Sequence, residues 1–445
     1  LLCFTQNDHT GQTGFKICPF LKWAHFLSER EQNQACLNSA EHEKNQGRKV
    51  LNVPNLRFPE FQGEWARMRL DAFTERVMRK NKNNKSKLPL TISAQYGLVD
   101  QITFFNKVIA STDMSNYYLL KKGEFAYNKS YSSDYPWGAI KRLDNYERGA
   151  LSSLYICFAP QDNVVSDFIL QYFESPKWHK GVSEIAVEGA RNHGLLNVSV
   201  QDFFHTYHYV PKDKKEQIKI AKLLMLLDER IATQSKIIDK LQSLIKGINQ
   251  RVFKNSGNNY KLGEICEIRS GYSGSQLLSK KGLKVSRIET ISGHKVNLER
   301  VGYVAPFESS ENYKLQVGDI LFSNINSVEY IGNTAFIDKD YDLYHGMNLL
   351  RLTPNHMVVI PFYLYLLLNT NRMLNRFKTI CNKAVSQASI NQTELGKTVV
   401  QIPPINTQEQ ICELYQALYT KLETESHTKS LFQNQKQYLL RQMFI

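Results

Sequence analysis

The side chains best suited to chemistry in this sequence are polar ones in segments rich in Gly, Ser and aromatic residues. The segments are YNKSYSSDYPWG (127–138), RNHGLLNVS (191–199), RSGYSGSQ (269–276) and SNINS (323–327). Asn, Ser and Arg in such loops can hydrogen-bond the edges of nucleic-acid bases, while Arg and Lys hold phosphates. The same residue types also build ordinary turns, so loop composition alone leaves both interpretations open.

Loop position and residue type predict two groups of nucleic-acid contacts. The first group is Tyr127, Asn128, Lys129, Arg191, Asn192 and His193. The second group is Arg269, Ser323, Asn324, Asn326 and Lys378.

Motifs that carry catalysis are missing from the sequence. It contains no G-x-G-x-x-G, no G-x-x-x-x-G-K-[ST], no H-E-x-x-H, no G-x-S-x-G and no Cys/His cluster at zinc spacing. The N-P-P-[YF] tetrapeptide of amino-methyltransferases is also missing, since IPPIN (402–406) is a different motif. We therefore expect a binding protein with no catalytic residues, no metal site and no cofactor of its own.

Amino-acid composition indicates what kind of partner the chain binds and in which cellular compartment it works. The chain of 445 residues carries a net charge of +14, which favours a polyanionic partner such as nucleic acid. Its seven cysteines are scattered and form no C-x-x-C pair, so we expect a reducing cytoplasm. The longest apolar stretch, 358–368, is interrupted by Pro361 and is too short to cross a membrane. Residues 1–51 are rich in Gln, Asn and Glu, and we predict a poorly ordered extension there.

An internal repeat organises the rest of the chain. PKDKKEQIKIAKLLML begins at Pro211 and PINTQEQICELYQALY at Pro404, each with a proline five residues before Glu-Gln-Ile. Three further matches follow in the same order. Leu70 lies over Leu262, Gly123 over Gly318, and residues 161–173 over 356–368. The repeat predicts two globular halves, 52–210 and 256–403, each followed by a long helix, at 211–255 and 404–445.

The long helices have apolar residues at alternating steps of four and three, the pattern of a coiled-coil seam. Spacing also predicts capping boxes, Asp213 with Glu216 and Asn406 with Glu409. In this alignment the second helix needs a two-residue deletion. We predict that the helices pack antiparallel within the chain, although packing on their own domains and dimerisation remain open. The seam residues, also predicted to dock partners, are Ile220, Leu224, Leu227, Ile231, Ile238, Leu241, Ile245, Leu418, Leu422, Phe432 and Leu439.

The globular halves show short strand-like segments separated by turns, such as LPLTISAQYGLV (88–99) and GDILFSNI (318–325), with helical runs at 163–174 and 361–378. This pattern predicts a mixed α/β unit in each half. A basic run, RVMRKNKNNKSK (76–87), suits phosphate contact as well as a solvated surface.

Four segments together resemble the specificity subunit of type I restriction–modification systems. They are NVPNLRFPEFQGEW (52–65), GARNHGLLNVSVQDFF (189–204), KKEQIKIAKLLMLLDERI (214–231) and LLRQMFI (439–445), and the resemblance covers about residues 52–445. The second repeat departs from the pattern, because ALYTKLE (417–423) stands where LLDERI (226–231) stands in the first.

The resemblance implies a fold and a set of partners. Each half would be a strand-rich α/β target recognition domain that reads one half of a bipartite DNA site. Two long antiparallel helices would join and separate the halves, related by an internal pseudo-twofold repeat, and would dock two adenine methyltransferase subunits that use S-adenosylmethionine. Restriction subunits, which use ATP and Mg²⁺, would join through that complex. The subunit itself would be non-catalytic, and two equivalent docking sites would explain why the helix motif occurs twice.

Two alternatives remain at this stage. The chain could be a scaffold that binds partners without DNA specificity, or the specificity part of a fused methyltransferase–endonuclease. Sequence-specific retention of DNA by the reconstituted complex would distinguish a specificity subunit from a scaffold. Methylation by the isolated chain with S-adenosylmethionine would support the fused enzyme.

Overall fold

The computed structural model describes residues 51–107, 110–186, 195–253, 257–383 and 387–445. These residues form two compact units. The first runs to Ala221 and includes Leu439–Ile445, and the second is Lys222–Tyr438. Short strands and helices alternate in both units, as predicted for a mixed α/β protein.

The first unit contains ten strands in its described part. They are β1 (Ala66–Arg69), β2 (Thr74–Arg76), β3 (Pro89–Ser93), β4 (Gly97–Asp100), β5 (Tyr118–Lys121), β6 (Phe125–Asn128), β7 (Ala139–Arg142), β8 (Arg148–Leu151), β9 (Ile156–Pro160) and β10 (Tyr207–Val210). Its short helices are α1 (Gln101–Phe105), α2 (Ser166–Glu174), α3 (His179–Ile185) and α4 (Val200–His205). The long helix α5 (Lys214–Val252) follows, and its residues up to Ala221 belong to this unit.

Two four-stranded sheets form the body of the first unit. One has the strand order β2-β9-β6-β7 and the other β4-β3-β8-β5. Aromatic side chains fill the core beside the first sheet. The rings of Phe125 and Phe158 stack at 5.4 Å, and Phe203 stacks on Tyr127 at 4.8 Å. Burial of such large rings stabilises this unit.

The second unit contains strands β11 (Asn258–Lys261), β12 (Cys266–Ser270), β13 (Leu283–Val285), β14 (Gly302–Val304), β15 (Ile320–Ser323), β16 (Ile325–Asn326), β17 (Thr334–Phe336), β18 (Leu349–Pro354), β19 (Asn382–Lys383), β20 (Ala388–Ser389) and β21 (Val399–Ile402). Its short helices are α6 (Leu262–Ile265), α7 (Pro361–Leu368), α8 (Asn371–Ile380) and α9 (Gln392–Gly396). The long helix α10 (Ile405–Gln442) belongs to this unit up to Tyr438.

The four-stranded sheet of the second unit repeats one sheet of the first. Its order is β12-β18-β15-β17, with the same pattern of antiparallel neighbours as β2-β9-β6-β7. Phe125 lies opposite Phe158 in the first sheet, and Ile320 lies opposite Leu352 in the second. The two units therefore share a scaffold although their core residues differ in size and type.

Backbone hydrogen bonds confirm the predicted match of Leu70 with Leu262. Leu70 N–H donates to the Thr206 carbonyl at 2.9 Å, and Leu262 N–H donates to the Thr398 carbonyl at 2.9 Å. Both donors and both acceptors are 192 residues apart (70 to 262 and 206 to 398). The contact joins the first and last parts of each globular half.

The match of Gly123 with Gly318 is also confirmed. Both glycines have positive φ, +85° and +100°, in the turn that enters β6 and β15. A carboxylate closes each turn in the same way. Glu124 Oε2 accepts from Lys121 N–H, and Asp319 Oδ2 accepts from Gln316 N–H, both at 2.8 Å. A left-handed glycine followed by a carboxylate is thus common to both halves.

The predicted capping boxes are wrong. Asp213 Oδ1 does accept from Lys215 N–H at 2.8 Å, but Glu216 turns away to a side-chain partner described below. In the second repeat the helix starts at Ile405, so Asn406, the predicted cap, lies inside it. The Pro404 carbonyl accepts from the N–H groups of the first turn there. Spacing alone did not identify these caps, because other contacts occupy the residues involved.

Candidate nucleic-acid interface and helix pair

Tyr127, in the first predicted contact group, is a core residue. It is fully buried on β6, and its hydroxyl donates to the Trp137 carbonyl at 2.9 Å. This burial raises the pKa of Tyr127 well above its usual value. The ring packs against Phe203 and presents no surface to a base, so in this structure Tyr127 supports the neighbouring segment instead of contacting a ligand.

Asn128 and Lys129 follow directly and are partly exposed. Asn128 Oδ1 accepts from Ser130 N–H at 3.0 Å, which holds the turn after β6. Lys129 Nζ donates to the Val198 carbonyl at 3.3 Å, and its own carbonyl accepts from Leu196 N–H at 2.9 Å. The structure therefore joins the 127–138 segment to residues 195–198. The other three predicted contacts, Arg191, Asn192 and His193, lie outside the described residues.

Three members of the second group lie together at the end of β15. Asn326 Nδ2 donates to Ser323 Oγ at 3.1 Å, and Ser323 is fully buried. Asn324 lies between them, and its carbonyl accepts from Ile390 N–H at 2.9 Å. The Asn324 Oδ1 atom is buried without a hydrogen-bond partner. An unpartnered amide oxygen is costly in a folded protein, so Asn324 is the member of this group most in need of a ligand.

The other two members of the second group lie on different elements. Arg269 is exposed on β12, and its guanidinium pairs with Glu267 at 2.5 Å. Lys378 is partly exposed on α8, one residue after the buried Phe377. Both cations can reach solvent, and both stay predictions as phosphate contacts.

A buried glutamine of the first unit joins the long helix to the globular half, a role that sequence spacing did not predict. Gln217 is 1% exposed on α5. Its Nε2 donates to the Pro211 carbonyl at 2.8 Å, and its Oε1 accepts from Val165 N–H at 2.8 Å. Val165 is the residue before α2, so one side chain joins the start of the long helix to the globular half of the same unit.

Gln408 does the same in the second unit. It is fully buried, its Nε2 donates to the Pro403 carbonyl at 2.8 Å, and its Oε1 accepts from Ile360 N–H at 2.8 Å. Ile360 is the residue before α7. The sequence alignment had placed Pro211 over Pro404, whereas the hydrogen bonds pair Pro211 with Pro403. Gln217 and Gln408 are 191 residues apart (217 to 408). With this register the long helices align from Gln217 to Phe253 without the deletion that the sequence alignment required.

A buried ion pair anchors the start of α5. Arg57 Nε and Nη2 donate to the two carboxylate oxygens of Glu216, at 2.7 and 2.8 Å. Trp65 Nε1 donates to the same carboxylate at 3.2 Å. The Glu216 side chain is 2% exposed. The segment around residues 52–65 is thus fixed to the helix start by a bidentate contact of the geometry that Arg favours.

The bodies of the long helices pack antiparallel within the second unit. Lys436 Nζ lies 2.6 Å from Asp228 Oδ1, and the Tyr415 hydroxyl donates to Asn249 Oδ1. Residue numbers rise along one helix as they fall along the other, which defines the antiparallel direction. The predicted seam residues are all buried or partly buried: Ile220, Leu224, Leu227, Ile231, Ile238, Leu241, Ile245, Leu418, Leu422, Phe432 and Leu439.

A polar pair interrupts the apolar seam. Gln234 Nε2 donates to the Glu425 carboxylate, and to its carbonyl at 3.2 Å. The two residues are 191 apart (234 to 425), the same separation as Gln217 and Gln408. Each is therefore the counterpart of the other in the repeat, and the pair marks the centre of the antiparallel contact.

The described residues show neither a metal site nor a membrane span. No group of three or more His, Cys, Asp or Glu side chains among them could hold a metal ion. Within the same residues, no helix is long and apolar enough to cross a bilayer.

A family model matches part of this chain. Residues 256–431 match the Type I restriction modification DNA specificity domain. The resemblance read from the sequence is thereby confirmed, and the matched residues lie within the predicted second recognition domain and its helix.

Two curated relatives carry the same description. A protein assigned as the type I restriction enzyme MjaX specificity subunit of Methanocaldococcus jannaschii is 38% identical over 188 residues, which is 41% of this chain and 44% of that protein. The type I restriction enzyme HindI specificity subunit of Haemophilus influenzae is 27% identical over 133 residues, 29% of this chain and 28% of that protein. Each alignment thus spans less than half of the relative's length.

Solved structures show the same fold over most of the chain. The type I restriction–modification system S subunit from M. genitalium aligns with a TM-score of 0.54 at 15% identity, covering 88% of this chain and 99% of that one. A chain from a study of complex assembly and conformational transition of the type I R-M system aligns with a TM-score of 0.53 at 16% identity, covering 84% and 96%. The predicted fold class is therefore confirmed.

Proposed function

We propose that this chain is the non-catalytic specificity subunit of a type I restriction–modification complex. Each recognition domain reads one half of a bipartite DNA site, and the long helices dock two adenine methyltransferase subunits. S-adenosylmethionine and ATP with Mg²⁺ are then ligands of the methyltransferase and restriction partners. The complex works in the cytoplasm, where its DNA is.

The observation that carries this proposal is a repeated scaffold with different surfaces. The Leu70 and Leu262 contacts, the turns at Gly123 and Gly318, and the bonds of Gln217 and Gln408 are equivalent in the two units. The candidate contact residues differ, with Asn128 and Lys129 in one unit and Ser323 and Asn324 at the same point of the sheet in the other. A protein that binds two copies of one partner needs the same scaffold in both units. If it also binds two different DNA sequences, it needs a different contact surface in each unit.

The charge and the family match agree with the proposal. The net charge of +14 suits a long polyanion, and the matched family is described as a DNA specificity domain. The length of the antiparallel helices would set the separation of the half-sites, which we expect near one DNA turn, about 34 Å between centres.

The first test is to sequence the methylated adenines of a host that carries this chain and its cognate methyltransferase. We expect a bipartite methylated motif that disappears when the chain is deleted. Unchanged methylation on deletion, with the methyltransferase present and active, would contradict the proposal and favour a scaffold without DNA specificity.

The repeat offers a sharper version of this test. The hydrogen bonds from Leu70 to Thr206 and from Leu262 to Thr398 mark equivalent boundaries, so residues 262–398 can replace residues 70–206. The resulting chain has two copies of the second recognition domain, and we expect it to methylate a site with two identical halves. The reverse exchange is the matched control and should give a site with two copies of the other half.

A further inference from the structure

A cluster of exposed aromatic side chains lies on the first unit, and we call it the aromatic patch. Tyr96, at the turn between β3 and β4, is 68% exposed, and Phe104 and Phe105 on α1 are each 44% exposed. The rings of Tyr96 and Phe104 lie 6.4 Å apart, and those of Phe104 and Phe105 lie 5.0 Å apart. Ile102 on the same helix is 40% exposed.

The fold holds the aromatic patch in place. Asp100 caps α1, since its Oδ1 accepts from Ile102 N–H at 3.0 Å and its Oδ2 accepts from the Thr103 hydroxyl at 2.6 Å. Asn106 ends the helix in the left-handed conformation, with φ of 51°. Aromatic rings normally contribute to stability by being buried, and a contiguous exposed cluster marks a binding surface. A capped helix that presents its rings to solvent therefore points to a ligand.

The stretch of sequence that carries the aromatic patch is strongly basic. Residues 76–107 contain seven Lys and Arg residues and one acid, Asp100, which caps α1. Lys82, Lys85 and Lys87 are exposed in the basic run 76–87. Leu90 on β3 lies opposite Asp100 on β4, the residue before α1. Lys87 precedes Leu90 by three residues, which places it about 10 Å from the start of α1. Arg79 is paired with Glu124, whereas Lys82, Lys85 and Lys87 extend into solvent. Exposed lysines beside aromatic rings suit nucleic acid, which offers both phosphates and base faces.

The second unit has no equivalent in its described residues. The aromatic patch belongs to the β4-β3-β8-β5 sheet, whereas the stretch between β12 and β15 forms the two-stranded β13-β14 sheet. The one aromatic residue of comparable exposure among the described residues of the second unit is Tyr330, at 49%. A surface for a partner bound by both units would occur twice, as the buried glutamines do. The aromatic patch therefore binds a ligand that only the first unit contacts. In the proposed function that ligand is the DNA of one half-site.

We propose that the aromatic patch and the basic run together bind the DNA of the half-site read by the first unit. Phe104 and Phe105 contact bases at a step that opens when the complex binds, and Lys82 and Lys85 contact the phosphates beside it. Aromatic residues that meet DNA in this way partly unstack a base step. This inference rests on the proposed function and adds the residues and the kind of contact.

The test uses the full chain assembled with its cognate methyltransferase and a duplex that carries 2-aminopurine in the first half-site. The first variant is Phe104→Ala with Phe105→Ala. Because both rings are exposed, we expect the variant to fold, and a thermal melt will check this. We expect its affinity for the intact site to fall about 5- to 100-fold, with a loss of the 2-aminopurine signal. Affinity for a duplex with a scrambled first half-site should change little, as should the slope of affinity against salt.

A second variant separates phosphates from bases. Lys82→Gln with Lys85→Gln should weaken binding to both duplexes and reduce the magnitude of the salt slope by about one for each lysine. Tyr330→Ala in the second unit is the matched control for loss of an exposed ring. It should leave recognition of the first half-site unchanged.

Three results would overturn the inference. Wild-type DNA binding by the Phe104 and Phe105 variant, with weakened assembly, would make the aromatic patch a protein-docking surface and leave the proposed function intact. Wild-type behaviour in both DNA binding and assembly would also refute the inference alone. Failure of the wild-type complex to distinguish intact from scrambled sites would refute the proposed function as well.

Discussion

Gln217 and Gln408 make the same two hydrogen bonds, each within its own unit. The amide of each donates to a proline carbonyl before the long helix and accepts from the N–H before a short helix, at Val165 and Ile360. All four distances are 2.8 Å. One amide side chain thus satisfies a buried donor and a buried acceptor in both halves of the repeat, which fixes the direction in which each long helix leaves its recognition domain.

Replacing either glutamine by leucine should destabilise its own unit. Gln217→Leu removes the side-chain partners of one backbone N–H and one carbonyl in the protein interior. Gln408→Leu does the same and also removes the hydrogen bond to the Val358 carbonyl. We expect a loss of about 2–4 kcal/mol in the free energy of unfolding, measured by urea denaturation. The matched control is Gln410→Leu, at an exposed position that the sequence motif aligns with Gln217. It should cost less than about 0.5 kcal/mol. A larger loss at Gln410 than at Gln408 would contradict the register given by the hydrogen bonds.

The Arg57 and Glu216 ion pair should be expensive to break from one side. Glu216→Ala leaves the guanidinium, which is 15% exposed, and the Trp65 N–H without their shared acceptor. We expect the free energy of unfolding to fall by about 3 kcal/mol. Trp fluorescence during urea denaturation would measure this change.

Two further variants test that explanation. Replacing both partners, Arg57→Met with Glu216→Leu, should cost less than Glu216→Ala alone, because no buried charge is left over. Glu409→Ala, at the exposed position that the motif aligns with Glu216, should have little effect. Equal losses for Glu216→Ala and Glu409→Ala would show that the ion pair is not the cause.

The polar pair in the helix seam should make the second unit sensitive to acid. Hydrogen bonds and charge from Lys421, together with the Gln234 amide, hold the pKa of Glu425 below its ordinary value of 4.5. Because the folded pKa is the lower one, the stabilisation is fully present above pH 4.5 and is lost as the pH falls through the folded pKa. Glu425→Gln should therefore flatten the dependence of unfolding free energy on pH below about 4.5.

The comparison variant for this prediction is Glu413→Gln, an exposed carboxylate on the same helix. Urea denaturation at several pH values between about 3 and 7 would give both curves. The same acid sensitivity in wild type and Glu425→Gln would mean that other carboxylates control the acid transition.

Periodic patterns predicted the parts of the fold that depend on one stretch of sequence. The alternating steps along α5 required a buried stripe, and Leu224 and Leu227 are 0% and 1% exposed. The match of Leu70 with Leu262 succeeded because similar short segments surround the two leucines, MRLDAFTERV (68–77) and YKLGEICEI (260–268). Features of this kind follow from local spacing, which the sequence contains.

Features that depend on distant partners could not be predicted in this way. Glu216 has capping-box spacing, but Arg57, 159 residues away, takes its carboxylate. The second Glu-Gln-Ile motif is shifted by two residues relative to the structural repeat. The motif therefore aligned Gln410 with Gln217, although Gln408 makes the equivalent hydrogen bonds. Tyr127 looked like a loop residue, and only its pairing in β6 buries it.

Asn324 should read the half-site of the second unit. Its Oδ1 atom is buried without a partner. We expect the side chain to turn outward and accept from a base amino group when DNA binds. We expect Asn324→Ala to reduce discrimination at that half-site by about 1–3 kcal/mol, measured as methylation rates of duplexes altered in one half at a time. Asn128→Ala, at the equivalent end of β6, is the reciprocal variant and should affect the other half-site alone. A uniform loss over all sequences would identify a phosphate contact instead, and unchanged rates would remove Asn324 from the set of contact residues.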